Sequence, residues 1–382
     1  MKQLNILFLV SILISCSAKE EESTSENILE DLRFSIDTVM IDSGEDILNL
    51  SQGIFPNGLS HDMSRLYFFE NKPFQLVEVD LDKLKVLKKT GFEVEGPNGV
   101  GSYLSHLKVG PKDNLFLISS SIAGIFNQDA EKLENLRFTP SGIDSTLATN
   151  FNALYSRSVY DFENQKLYSQ PSFLDVGDNV LVIINTKTQS AITLPVPKMK
   201  IVDEYSGTYM FETDQGEIIA FHFVGSFITL LPKVVIISTA ARSGIYSLDL
   251  TTEQLEYIDI QHHTVPNEIK VEIPQNPSSP AQIQNIQHEI FKNVNFLEMQ
   301  WDDTRQLYFR LGESTVRGAS REDPLSYEYY LFAYDQDFNV LGEKKLDGVN
   351  FGLMHVFFKD GKLWSYVNVG DELGFAVFTF NF

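Results

Sequence analysis

His106, Arg157, Glu298 and His355, together with Asn57, share one kind of position in this chain of 382 residues. Each stands about eight to ten residues ahead of an apolar run that follows a polar turn. Two imidazoles can move a proton or donate a hydrogen bond, a guanidinium can clamp an anion, and a carboxylate can serve as acid, base or cation partner. A mixed ring of this kind suits a binding or catalytic site if the fold brings the five together. If it does not, they are separate strand ends facing water. A second candidate is the run Glu95-Gly-Pro-Asn98-Gly99-Val-Gly101. Pro97 fixes one backbone angle and the glycines permit left-handed ones, which predicts a tight loop with backbone N–H groups free for a carboxylate or sugar hydroxyl, or a purely structural turn. Without a following lysine and helix it is no phosphate loop.

Other chemistry is missing from the sequence. His288-Glu289 is followed by Lys292, so the two-histidine helical zinc motif is absent. His262 and His263 read as exposed loop residues, Asp335-Gln336-Asp337 reads as a turn, and no calcium loop or nucleophile elbow occurs. No metal and no cofactor is expected. Paired carboxylates for glycoside cleavage stay open, because aspartate and glutamate are abundant and their separations are not legible in a sequence. Trp301 and Trp364 sit in or beside strand-like runs, where they either pack between sheets or stack on sugars.

The elements that must position these groups repeat. Residues 59–90 read as short apolar runs at Leu66–Phe69, Phe74–Val79 and Val86–Leu87 separated by polar turns, with no helix-length pattern, so the strands pair antiparallel. A polar turn leading into an apolar strand recurs at 62–69, 110–118, 163–168, 232–238, 302–309 and 359–366. A strand ending in Asp or Asn follows at Asp80, Asn127, Asn185, Asp249 and Asp335, residues whose side chains bond turn backbone. Sheets of this kind need neighbours on both faces, and stacking them around an axis gives a β-propeller. Six blades are expected, seven if residues 209–224 are a blade rather than an inserted hairpin. The last strand, Gly374–Phe382, lacks an outer partner, and Arg33–Ile41 alternates suitably to close the ring. Ala281–Lys292, after a proline-rich stretch, places Ile283, Ile286, Ile290 and Phe291 at helical spacing and predicts a short helix over one face.

The chain divides into a leader at 1–15, a tether at 16–30 and one all-β domain at 31–382. Lys2 precedes an almost wholly apolar stretch from Leu4 to Ile14, and the sole cysteine, Cys16, closes it. Residues 17–30 bury nothing. Leu13-Ile-Ser-Cys16 resembles the lipobox of bacterial lipoproteins, which implies cleavage before Cys16 and lipid attachment there, hence a membrane-anchored domain of the cell envelope. The acidic run after Cys16 resembles a surface-export signal and favours outer-membrane display at the cell surface over the periplasm. With no second cysteine, packing and ring closure must supply the stability. A net charge of −22 argues against nucleic acid as a partner.

The Glu95-Gly-Pro-Asn-Gly99 run, the lipobox, Ser35-Ile-Asp-Thr38 and the blade pattern together resemble the bacterial lipoprotein family filed as domain of unknown function 4221. The resemblance spans most of residues 30–382 and implies a propeller-like secreted lipoprotein without implying an activity. The expected function is non-enzymatic capture of a small ligand or an envelope protein at the channel mouth by Glu95, Asn98, His106, Arg157, Glu298 and His355. The rival expectation is a surface glycan hydrolase or lyase drawing on the same groups.

Overall fold

The computed structural model describes residues 27–120, 122–143, 147, 151–173, 179–214, 216–318 and 324–382. Cys16 and the rest of residues 1–26 lie outside the described residues. Six antiparallel sheets follow one another in chain order, each with its first strand innermost. Blade 1 comprises Asn57–Leu59, Arg65–Asn71, Phe74–Asp80 and Lys85–Gly91. Blade 2 comprises Leu104–Val109, Leu115–Ser119, Ala123–Phe126 and Lys132–Asn135. Blade 3 comprises Phe151–Asp161, Lys166–Phe173, Val180–Asn185 and Ser190–Pro195. Blade 4 comprises Ser226–Leu230, Val234–Thr239, Arg242–Asp249 and Leu255–Ile258. In blade 5 the inner strand is split into Asn295–Phe296 and Gln300–Asp302, followed by Leu307–Arg317, Leu325–Tyr334 and Val340–Lys345.

Blade 6 runs Met354–Lys359, Lys362–Val369 and Glu372–Asn381, and its outermost strand comes from the other end of the chain. Arg33–Met40 pairs antiparallel with Glu372–Asn381 in an unbroken register from Arg33 opposite Asn381 to Met40 opposite Gly374. This covers a bare edge with a full ladder. The ordered domain also starts earlier than the tether boundary at 30 expected from composition. Leu29 is fully buried, Ile28 donates its N–H to the Leu341 carbonyl at 3.0 Å, and the Asn27 side chain bonds both the N–H and the carbonyl of Glu343. An apolar leucine in a polar segment was enough to dock it.

The middle strands explain why blades need neighbours. In blade 1, Leu66, Tyr67, Phe68 and Phe69 are all buried, so both faces of the sheet are covered. The core accordingly falls into six apolar clusters, one per seam. Phe68 and Val77 of blade 1 meet Trp364 and Phe375 of blade 6. Tyr67 and Phe69 meet Leu115 and Leu117 of blade 2, and Phe116 and Ile118 meet Leu167 and Val182 of blade 3. Tyr168 and Ile183 meet Val235 and Ile237 of blade 4. Ile236 and Ile245 meet Phe296 and Phe332 of blade 5, and Phe309 and Leu331 meet Phe358 and Phe378 of blade 6. Each fully buried large side chain contributes roughly 1.5–3 kcal/mol, so the ring is held by apolar seams rather than staples.

The five Asp and Asn markers behave as their chemistry requires. Each sits in the turn before an outermost strand, and its Oδ1 accepts two backbone N–H groups: Asp80 from Asp82 and Lys83, Asn127 from Asp129 and Glu131, Asn185 from Lys187 and Thr188, Asp249 from Thr251 and Thr252, Asp335 from Asp337 and Asn339.

In such a ring, every outer-to-inner connection lies on one face. Two of these are long. Between blades 3 and 4 stands the inserted hairpin Gly207–Thr213 and Gly216–His222, and between blades 4 and 5 the helix Pro280–Lys292. The helix is capped by Ser279, whose hydroxyl accepts the Gln282 N–H, and buries Ile283, Ile286 and Ile290. Residues 209–224 are therefore an insertion and not a seventh blade.

Candidate functional site

Asn57, His106, Arg157 and His355 lie on the inner strands of blades 1, 2, 3 and 6 around the propeller axis, and Glu298 in the gap of the inner strand of blade 5. What singles them out is that the ladder breaks beside most of them. The register between first and second strands slips between Leu104 and His106 in blade 2, between Ala153 and Arg157 in blade 3, and between Met354 and Phe357 in blade 6. In blade 5 the inner strand is interrupted, with Glu298 in the gap. A regular strand sends its side chains to the two sheet faces in alternation, whereas a bulge re-aims one of them. His355 also has a left-handed φ of 49°, a conformation that costs a non-glycine residue about 1 kcal/mol or more.

The inner ladders of blades 1 and 4 are unbroken, and they supply supporting groups. Asn57 of blade 1 donates its amide to His355 Nδ1 at 2.8 Å, which leaves Nε2 as the protonated nitrogen. Thr229 of blade 4 donates its hydroxyl to Glu298 at 2.6 Å. Thr229 and Lys108 were not anticipated from sequence. Lys108 lies two residues after His106 on the same strand, and its ammonium interacts electrostatically with Glu298. Blades 2 and 5 are diametrically opposed in a ring of six, so this interaction reaches across the channel.

The electrostatics follow from enclosure. Burial lowers the pKa of Lys108, with Glu298 and Asp161 pulling it back up. Burial raises the Glu298 carboxyl against the Thr229 hydrogen bond and the Lys108 charge. His106 is pushed down to about 4 by burial and by Lys108, so its imidazole is neutral at pH 7, and its Nε2 is buried without a hydrogen-bond partner. Burial also lowers His355. Arg157 stays open to solvent inside the channel, yet protein surrounds it closely enough to lower its pKa, partly offset by Asp203. Among the described residues neither Lys108 nor Arg157 has a carboxylate within salt-bridge distance, although thirteen other contacts of that kind are formed elsewhere. In a chain of net charge −22, two inner-strand cations without a contact ion pair among the described residues stand out.

Glu95 and Asn98 are not part of this cluster. The Asn98 side chain accepts the N–H of Lys132 in the outermost strand of blade 2 at 3.0 Å, and Glu95 is exposed. The backbone donors expected to be free are used within the loop: Gly99 donates to Gly96, Val100 to Glu93 and Gly101 to Val94. A Cβ at Gly99 would lie 2.6 Å from the Glu95 backbone, so the glycine serves a close approach inside the turn.

His262 also differs from its expected exposure. It is buried, stacked 4.0 Å from the Phe332 ring, with Nε2 3.1 Å from the Tyr334 hydroxyl and Nδ1 3.5 Å from Glu343. Glu343 in turn accepts the N–H groups of His263 and Thr264 and the Thr264 hydroxyl. The proline-rich segment is thereby pinned to blade 5. Trp364 is buried against Phe357 and Phe375, and Trp301 packs on Tyr308, so both tryptophans serve the seams. No group of three or more metal-binding side chains occurs among the described residues. A separate cleft of about 290 Å³ between the helix and blade 5, touching His288, Phe291 and Tyr327, is largely apolar and away from the channel.

The architecture defines a six-bladed β-propeller with a polar, cation-bearing central channel. Residues 27–345 match the family model described as Domain of unknown function (DUF4221), and the chain belongs to that family. It is similar to a solved member of the family from Bacteroides vulgatus, at 13% identity and a TM-score of 0.64 over 92% of this chain and 98% of that one. It is also similar, at 12% identity and a TM-score of 0.44, to a structural genomics protein of unknown function from Bacteroides thetaiotaomicron, over 91% of this chain and 77% of that one. No curated protein matches.

Proposed function

We propose that this chain is a lipid-anchored propeller of the cell envelope, tethered through Cys16, that captures a small carboxylate-bearing ligand in its central channel without transforming it. The observation that carries this reading is the pair Lys108 and Arg157 on the inner strands of neighbouring blades, Lys108 half-buried and Arg157 open to solvent, neither in an ion pair among the described residues and each attracted only at longer range, by Glu298 and Asp161 or by Asp203. An enclosed cation without a partner is costly, and an incoming carboxylate removes that cost by charge-assisted hydrogen bonds. His106 and His355 add neutral donors. The lipobox resemblance and the acidic segment after Cys16 support display on the outer membrane, facing outward. An envelope protein docking at the same mouth is the alternative partner.

The test is calorimetric titration of protein beginning at Asn27 with mono-, di- and tricarboxylates and with inorganic phosphate, repeated on Lys108→Met and Arg157→Ala. The expected result is saturable binding of a carboxylate, weakened at least tenfold in each variant. Binding of phosphate alone would replace the carboxylate by a phosphate ester, and binding unaffected by either variant would remove the channel as the site. The raised carboxyl of Glu298 and the unpartnered Nε2 of His106, both on inner strands and each facing the Lys108 charge, favour a second reading, a surface lyase or hydrolase of acidic glycans. Turnover of a bound glycan, abolished in Glu298→Gln, would establish that reading instead.

A further inference from the structure

The mouth of the channel is not symmetrical. On the side of blades 3 to 5 the long insertions rise over the ring, with the hairpin and the helix packed on one another. On the side of blades 6, 1 and 2 the entries to the inner strands carry exposed apolar groups: Met354 at 51% exposure, Phe55 at 38% and Tyr103 at 56%. Phe55 stands two residues before Asn57, Tyr103 three before His106 and Met354 one before His355. Three consecutive blades therefore carry an uncovered apolar group within three residues of a polar residue of the inner strand. The Phe55 and Tyr103 rings lie 6.4 Å apart at 36°, forming a shallow aromatic arc rather than a packed pair.

Exposed aromatic faces at the strand entries, with neutral hydrogen-bond donors and the cations Lys108 and Arg157 further along the inner strands, match a ligand whose parts are ordered the same way. The outer part presents a flat face of C–H groups with hydroxyls at its edge, and the inner part carries the anion. We infer that the ligand is an acidic saccharide, a sugar ring bearing a carboxylate, with the ring lying on Phe55 and Tyr103 and the carboxylate directed to Lys108 and Arg157. This inference rests on the proposed anion site and adds the ring. A simple di- or tricarboxylate would use the cations and leave the arc uncovered. An aromatic acid would use the arc and leave the Asn57–His355 pair without hydroxyl partners. The protonated Nε2 of His355 and the neutral His106 are suited to hydroxyl oxygens rather than to a second charge.

The experiment separates the two layers. Protein beginning at Asn27 is titrated with galacturonate oligomers, neutral oligomers of the same length, a dicarboxylate and phenylacetate, and each titration is repeated on Tyr103→Ala, Phe55→Ala and Lys108→Met. The expected result is that the uronate oligomer binds most tightly and loses about tenfold in affinity in Tyr103→Ala, while dicarboxylate binding is unchanged in that variant and Lys108→Met weakens both. Equal affinity for uronate and dicarboxylate, with neither affected by Tyr103→Ala, overturns the saccharide inference and leaves the anion site standing. Tighter binding of phenylacetate than of uronate overturns it too. Binding of neutral oligomers that needs Tyr103 but not Lys108 overturns both the inference and the anion reading beneath it.

Discussion

The second and third strands of the blades and the first strands obey different rules. Between second and third strands the ladder runs unbroken in blades 1, 2, 3, 5 and 6, and in blade 5 it holds register from Tyr308 opposite Tyr334 to Arg317 opposite Leu325. Between first and second strands it slips in blades 2, 3 and 6, and in blade 5 the first strand is split. The outer wall gains from regularity, because the central residues of these strands pack into the seams on both faces. The inner wall has little to pack against across the channel, so a lost ladder bond there costs less, and its irregularity lets single side chains turn inward. Stability therefore resides in the wall and function in the breaks.

The sharpest way to break the comparison is at Arg310, a buried charge in the second strand of blade 5. Arg310 is fully buried and donates to the carbonyls of Leu297 at 2.7 Å, Ser243 at 2.6 Å and Thr239 at 3.0 Å. It ties blade 4 to the gap that carries Glu298. Arg310→Met strands three buried acceptors and is expected to cost about 3–5 kcal/mol in denaturant unfolding, the largest loss among these substitutions.

A smaller effect comes from Glu343, whose carboxyl burial would raise but which is held down to about 2 by the Thr264 and His263 hydrogen bonds and the adjacent His262 imidazole. Its folded pKa is depressed, so its contribution is present above the unfolded value near 4.5 and disappears as the pH falls towards 2. Glu343→Gln is expected to lower stability by about 2 kcal/mol at pH 7 and to converge on the parent protein near pH 2 in melts across that range. A constant difference at all pH values would assign the loss to packing alone.

Substitutions in the breaks are expected to leave the fold intact. Lys108→Met removes a half-buried charge that has no contact ion pair among the described residues and is expected to raise stability by about 1 kcal/mol while weakening ligand binding. The affinity of the parent protein is expected to fall on the alkaline side, as Lys108, with its lowered pKa, loses its proton beside His106, Glu298 and Asp161; Lys108→Met is expected to lack that limb. The smallest change is expected at His355→Gly, where relief of the left-handed backbone offsets the lost contacts to within about 1 kcal/mol. A large loss there would show that His355 belongs to the wall.

The same division governs what could be read in the chain. Wall features were legible because they recur: the apolar runs repeat in every blade and the Asp and Asn turns in five of the six, and the closing strand follows the same alternation. Channel residues were half legible. Counting back from each run reached Asn57, His106, Arg157, Glu298 and His355, but Thr229 has no distinctive chemistry and Lys108 alternates as a solvent-facing lysine would. The Glu95–Gly101 loop is the most distinctive run in the sequence, yet its donors close on themselves. His262 was read from its proline-rich surroundings, and the cavity that Phe296 and Phe332 offer it comes from a distant blade.

The most direct measurement is a crystal soaked in bromoacetate, with the bromine located by anomalous scattering. The account predicts a site in the channel, with the carboxylate against Lys108 and Arg157, that vanishes in crystals of Lys108→Met. Bromine only on the outer surface of the ring, or a channel site indifferent to that substitution, would contradict it.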